Sequence, residues 1–227
     1  MMVKKPLQGL LFDFDGLILD TETPIFQAWQ EKFKEYGKEL LLKEWAEILG
    51  KSNDELGPVE DFLKEFPEED KRKEILEEVT QRESALVLQQ SPLPGVEALI
   101  VKARERGVKL GVVSSSGQEW VHSHLERLGL FDHFDHTSCA EEVEIAKPDP
   151  ALYELGLEKT GLERDEVLVL EDSPNGVLAA KRAGLYCIAV PNDLTSQLPF
   201  YNNGGSPDRV LTSMLEFPWD EFMRDAQ

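Results

Sequence analysis

Cysteine is scarce in this chain: Cys139 and Cys187 are the only two in 227 residues. They frame no disulfide scaffold, and neither belongs to a C-x-x-C pair, so a stapled secreted fold and a thiolate metal site are both excluded. Long apolar runs are missing too. None approaches the 18 or so residues of a membrane span. The apolar stretch behind Lys4 and Lys5 runs only from Gly9 to Phe12 before Asp13 interrupts it, too short for a signal peptide. Positive charge is the third shortage. Against 44 acidic residues stand 24 lysines and arginines, a formal net charge of −20. Such a surface repels nucleic acid and anionic lipid, so neither is an expected partner. Internal repeats and low-complexity segments are also lacking. A monomer in a reducing cytoplasm is the expectation.

What is present is a core-forming composition, 41% apolar and 30% charged. Apolar runs at 7–14, 108–113, 166–170 and 185–190, with a short one at 136–139, read as strands. Continuous apolar strands belong to sheets covered on both faces. Helix-like spacing fills 96–106, 120–128, 151–160 and 176–183, and a glycine follows each: Gly107, Gly129, Gly161 and Gly184. This β-α alternation predicts a three-layer α/β/α parallel sheet of Rossmann-like type. Residues 22–90 break it. They carry almost no strand signal and read as helices near 23–36, 42–49, 54–66 and 69–88. A stretch that long is no ordinary loop. The expected organisation is a core of 1–21 and 91–227 with an inserted four-helix cap at 22–90.

Four motifs carry chemistry, each at the carboxyl end of an expected strand, the edge where open α/β sheets bind ligands. The first is Asp13-Phe14-Asp15-Gly16, continuing to Asp20, Thr21 and Glu22. Extended residues two apart face one way, so Asp13 and Asp15 converge, and their repulsion calls for a cation or a proton. Gly16 permits a sharp turn. The second, Ser114-Ser115-Ser116-Gly117, offers hydroxyls and backbone N–H groups ahead of a helix, a seat for phosphate. The third, Lys147-Pro148-Asp149-Pro150, projects a cation from a stiffened turn. The fourth, Glu171-Asp172-Ser173-Pro174, adds two acids opposite the first pair, an oxygen set suited to Mg²⁺.

In this order the motifs resemble the haloacid dehalogenase superfamily, in its helical-cap branch of phosphatases and β-phosphoglucomutase-like enzymes. The resemblance implies a Mg²⁺-dependent phosphomonoesterase acting on a small phosphorylated metabolite, a sugar phosphate foremost, through an aspartyl phosphate. Carried over by motif, Asp13 is the nucleophile and Asp15 the general acid/base, whose backbone carbonyl also meets the metal. Ser114, with Ser115 beside it, binds the phosphoryl group. Lys147 steadies that group and the nucleophile. Asp172 ligates Mg²⁺, and Glu171 does so directly or through water. The runner-up is a sugar phosphomutase. Such enzymes place a histidine where this chain has Ile25 and an arginine near Asn53, so water is the expected acceptor. A dehalogenase lacks the second aspartate. A non-catalytic binding protein of this family has no need for the nucleophile.

Substrate contacts are expected in the cap, at Lys51, Asn53 and Arg82. Gly50-Lys51-Ser52 is no P-loop, because Trp45 stands where the first glycine belongs. His122, His124, His133 and His136 read as surface or loop residues, lacking partners at zinc spacing. Trp29, Trp45 and Trp120 fall in helical patterns and read as packing residues.

Overall fold

A computed structural model describes residues 5–45, 57–200 and 205–223. Strand β1 (Gly9–Phe12) is followed by helices α1 (Glu22–Glu35), α2 (Leu42–Trp45), α3 (Gly57–Lys64) and α4 (Glu69–Val87). The chain then alternates through α5 (Val96–Glu105), β2 (Lys109–Val113), α6 (Gln118–Arg127), β3 (His136–Ser138), α7 (Ala151–Thr160), β4 (Val167–Glu171), α8 (Pro174–Arg182) and β5 (Tyr186–Ala189). It closes with β6 (Arg209–Val210) and α9 (Trp219–Phe222).

The six strands form one sheet in the order β3-β2-β1-β4-β5-β6, every neighbour parallel. Strand alternation sends Leu10, Phe12, Leu110, Val112, Leu168 and Leu170 into one apolar layer, and Leu11, Val113, Val167 and Val169 into the other. Both faces are covered, as the unbroken apolar runs required. The topology places β1 between β2 and β4, so the loops after all three open onto one crevice.

A third apolar cluster joins Phe26, Trp29 and Phe33 of α1 to Trp45, to Val59 and Phe62 of α3, and to Ile75 and Val79 of α4. Phe33 and Phe62 stack with ring centroids 4.4 Å apart. Leu194 and Leu198, from beyond β5, complete this cluster. The two connections between the helical insert and the sheet run side by side. Leu19 bridges Pro92 antiparallel, and the Leu93 N–H donates to the Ile18 carbonyl at 2.9 Å.

The observed elements differ from expectation at their ends. Strand β1 stops at Phe12, because the Phe14 carbonyl accepts from Ile18 N–H (3.0 Å) and turns the chain out of the sheet. Helix α8 begins two residues early. Ser173 caps it by accepting from Gly176 N–H, and Pro174 fills the first turn without losing a bond. Strand β6 and helix α9 were not anticipated, being too short to show periodicity. Among the described residues, no helix is long and apolar enough to cross a membrane.

Candidate active site

Asp13 leaves the end of β1 with its N–H on the Leu170 carbonyl of β4 (2.9 Å), which fixes its backbone. Its side chain is buried, and Oδ1 accepts from Lys147 Nζ at 2.5 Å. Lys147 also donates to the Val113 carbonyl and to Glu171 Oε1, both at 2.8 Å. All three ammonium hydrogens are thereby placed. The ammonium lies 4.8 Å from the centre of the Tyr153 ring. Burial works against its charge, but Asp13 and Glu171 outweigh that and hold its pKa above the usual lysine value.

Glu171 closes β4 in complete burial and accepts from every side. Oε1 takes Lys147 and the Tyr153 hydroxyl (2.7 Å); Oε2 takes Asp172 N–H, Ser173 N–H and the Ser173 hydroxyl at 3.1–3.3 Å. Gly176 makes room for it, since a Cβ there would overlap its carboxylate. Asp172, also buried, accepts from Asn192 Nδ2 at 3.0 Å, and the same amide holds the Gly16 carbonyl at 3.0 Å. Gly16 turns at φ +85°, and a side chain there would strike Asp172.

Oxygens of Asp13, Glu171 and Asp172 all lie within 4.8 Å of one another. Burial, and then the neighbouring carboxylates, push the Asp13 and Asp172 pKa values well above the ordinary range. One lysine among three converging acids leaves negative charge over. A hard divalent cation fits that surplus and that all-oxygen donor set. Glu171 already carries five bonds, so the oxygens open to a cation are chiefly those of Asp13 and Asp172.

Asp15 sits across the crevice, with two donors on each oxygen. Thr21 Oγ1 and Trp120 Nε1 donate to Oδ1, both at 2.9 Å. Ser114 and Ser116 hydroxyls donate to Oδ2 at 3.0 and 2.7 Å. The Ser115 hydroxyl is buried with no partner among the described groups, an unused donor in the same loop.

The structure therefore brings together Asp13, Asp15, Ser114, Ser115, Lys147, Glu171 and Asp172. Arg82 is not with them: it is exposed on α4 and forms a double ion pair with Glu31 (3.0 and 3.1 Å). Lys51 and Asn53 lie outside the described residues. Trp120 does more than pack, because its indole N–H reaches Asp15. His124 is buried rather than on the surface, stacked on Phe14 and edge-on to Trp120. His136 is likewise half-buried on β3. Both cysteines are buried, and burial raises their thiol pKa values, that of Cys139 to about 11, as inert core residues require. Asn192, Tyr153 and Thr21 were missed. Asn192 stands in a loop without a motif, Thr21 lies within the first motif but carried no role there, and Tyr153 reads as part of an apolar helix face.

Known proteins are similar to most of this chain. A family model described as haloacid dehalogenase-like hydrolase matches residues 10–190. YhcW of Bacillus subtilis, provisionally assigned as a phosphatase, is 39% identical over 210 residues, covering 92% of this chain and 93% of that protein. The phosphorylated carbohydrates phosphatase of Thermotoga maritima is 32% identical over 186 residues, covering 79% and 82%. Among solved structures, CbbY from Rhodobacter sphaeroides in complex with phosphate is similar with a TM-score of 0.73 at 28% identity, over 93% of this chain and 96% of that one.

Proposed function

The chain belongs to the haloacid dehalogenase-like hydrolases and is a phosphatase, and we propose that it hydrolyses a small phosphorylated carbohydrate through an aspartyl phosphate with the help of Mg²⁺. The single observation carrying this reading is the buried Lys147 that joins Asp13 to Glu171 between the ends of β1, β2 and β4. That bond holds one oxygen of Asp13 and leaves the other to attack phosphorus. The P–O bond to the sugar breaks as Asp13 bonds to phosphorus, and Asp15 delivers a proton to the departing oxygen. Asp15 then takes a proton from water as that water attacks the aspartyl phosphate and frees Asp13.

Ser114 and Ser115 hydroxyls receive the phosphoryl oxygens, and Lys147 offsets their charge. Asp13, Asp172 and the Asp15 backbone carbonyl hold the Mg²⁺, with Glu171 supporting from behind. When bound, the ion supplies positive charge to the transferring phosphoryl group. Helices within 22–90 act as a cap that keeps bulk water out while the phosphoaspartate exists. The carbohydrate class is supported by the Thermotoga maritima relative's name. Water as acceptor is supported by Ile25, which packs against the apolar cluster of α1–α4 and brings no charge to grip a second phosphate.

The test is phosphate release from a panel of sugar, alditol and nucleoside phosphates, with Mg²⁺ and with EDTA. Release from carbohydrate phosphates that EDTA abolishes is the expected result. Release unaffected by EDTA would remove the cation from the reading. Glucose 6-phosphate forming from β-glucose 1-phosphate faster than free phosphate would replace hydrolysis by transfer.

A further inference from the structure

Trp120 stands outside every motif in the sequence, yet it makes a direct bond to Asp15. We propose that Trp120 is a positioning residue that directs the proton of Asp15 to the oxygen facing the phosphate seat. This rests on the phosphatase reading above and names a group that makes its acid step work.

The two oxygens of Asp15 are treated differently. Oδ2 is held by Ser114 and Ser116, hydroxyls of the loop that receives the phosphoryl group. An arriving phosphate competes for those hydroxyls and releases Oδ2. Oδ1 is held by Thr21 and Trp120, at 2.9 Å each, away from that loop. An indole N–H is a donor only, with no lone pair to accept a hydrogen bond in return. With both lone pairs of Oδ1 taken by donors, a proton on Asp15 settles on Oδ2. That oxygen then lies beside the sugar–phosphate bond. It gives its proton to the leaving oxygen as that bond breaks, and later recovers one from the attacking water.

The indole is fixed for this task. Its ring meets His124 edge-on with centroids 4.3 Å apart, and buried His124 stacks on Phe14. His124 Nδ1 in turn accepts from Arg127 Nε at 3.4 Å. Arg127 Nη1 donates to the Leu88 and Gln90 carbonyls (3.4 and 3.1 Å), in the connection that leaves α4. One face of α6 thus joins the proton-bearing carboxylate to the strap of the helical insert. A tryptophan serving only as packing has no reason to aim its one polar atom at Asp15.

Trp120→Phe removes the N–H and keeps a ring against His124. The experiment compares kcat and KM for phenyl phosphate and p-nitrophenyl phosphate in wild type, Trp120→Phe, Asp15→Asn and the double variant. The two substrates differ only by a para nitro group, but phenolate leaves poorly and needs the proton. A roughly 10-fold loss of kcat/KM on phenyl phosphate is expected, with p-nitrophenyl phosphate changed less than about 2-fold, because kcat/KM reports the breaking of the P–O bond and not the shared hydrolysis of the aspartyl phosphate. In the Asp15→Asn background the same substitution should cost nothing further. Thr21→Val, removing the other donor on Oδ1, should show the same substrate dependence and guards against a misfolded Trp120→Phe. Equal losses on both substrates, or a loss persisting without the Asp15 carboxylate, would overturn the role. A wild-type protein that released phosphate from neither substrate would instead overturn the phosphatase reading, and this role with it.

Discussion

Two groups of acids line the crevice, and the fold treats them in opposite ways. At the ends of β1 and β4, Asp13, Glu171 and Asp172 are buried, and Lys147, Tyr153, Asn192 and backbone N–H groups hold them. Where the helical insert begins and ends, Glu22 on α1 and Glu83 on α4 are only half-buried. The strongest electrostatic neighbours of Glu22 are Asp15, Asp13, Asp20 and Glu83, all acids, and its pKa is pushed well up by burial and then by them. Trp29 donates to Glu83, yet burial still lifts its pKa to about 7. The first group spends its hydrogen bonds on fixed geometry, as chemistry at a single atom requires. The second stores unrelieved charge in the wall facing that chemistry.

The sharpest way to break this contrast is to remove the cation beneath the first group. Lys147→Ala leaves Asp13 and Glu171 buried and unpaired, which costs about 3–5 kcal/mol of stability. It also frees Asp13 to rotate. Phosphate release should fall by about 10³-fold or more, with no rescue by added Mg²⁺. Asp13→Asn should lose turnover to at least the same extent while keeping the wild-type melting temperature within a few degrees, because an amide of equal shape accepts no phosphoryl group. Substantial turnover by Asp13→Asn would dispose of the covalent route.

Gly176→Ala probes the same group through sterics alone. A methyl at that point overlaps Glu171, and Glu171 can yield only by straining its five bonds. Overpacking of this kind costs about 1–3 kcal/mol. Because the displaced carboxylate carries Lys147 with it, kcat should drop by about 10²-fold, as 1 Å misplacements do. An unchanged kcat would mean that Glu171 is not what holds Lys147 in register.

Asp172→Asn acts on the surplus charge instead. It keeps the side chain's shape and removes one of the acids that raise each other's pKa. In EDTA the variant should melt about 2–4 °C above wild type, since about 1 kcal/mol of repulsion disappears. Its Mg²⁺ requirement for half-maximal activity should rise by about 10–100-fold. A variant that melted lower in EDTA and kept its Mg²⁺ requirement would show that Asp172 is a structural acceptor for Asn192 and no more.

These residues also mark how far the sequence could be read. The sheet and its helices were legible because strands buried on both faces leave unbroken apolar runs, as at Val167–Glu171. Asp13, Asp15, Ser114 and Asp172 were legible because they follow strand ends, which show as abrupt switches to polar residues, whereas Lys147, in the loop between β3 and α7, stood out only through its likeness to the family's motif. Contacts made across the chain were not. Asn192 reaches Gly16 across 176 positions, and Trp120 reaches Asp15 across 105. Neither residue carries a local pattern announcing its partner. Leu194 and Leu198 likewise pack into the cluster of α1–α4 from beyond β5, so the insert is not as self-contained as its helical periodicity suggested. Arg82 shows the converse failure. It was expected among the substrate contacts with no motif to fix its role, and an acid on the neighbouring helix holds it instead.

The smallest expected effect tests the second group of acids. With a pKa of about 7 in the folded protein and one near 4.3 in the unfolded chain, Glu83 binds its proton more tightly when folded. Its contribution to stability is therefore full below the unfolded value and is lost as pH rises through 7. A shift of this size is worth about 1–3 kcal/mol after allowance for partial exposure. Glu83→Gln keeps an acceptor for the Trp29 indole and cannot ionise, so it abolishes that loss. Melting curves at pH 5 and pH 8 measure it directly. The variant should match wild type closely at pH 5 and melt several degrees higher at pH 8. Because Glu83 is held by Trp29 and not by the groups that move the proton, kcat on p-nitrophenyl phosphate should stay within about 2-fold. Parallel melting temperatures at the two pH values would mean that Glu83 is solvated enough to ionise freely, and the wall would then store no charge for the fold to carry.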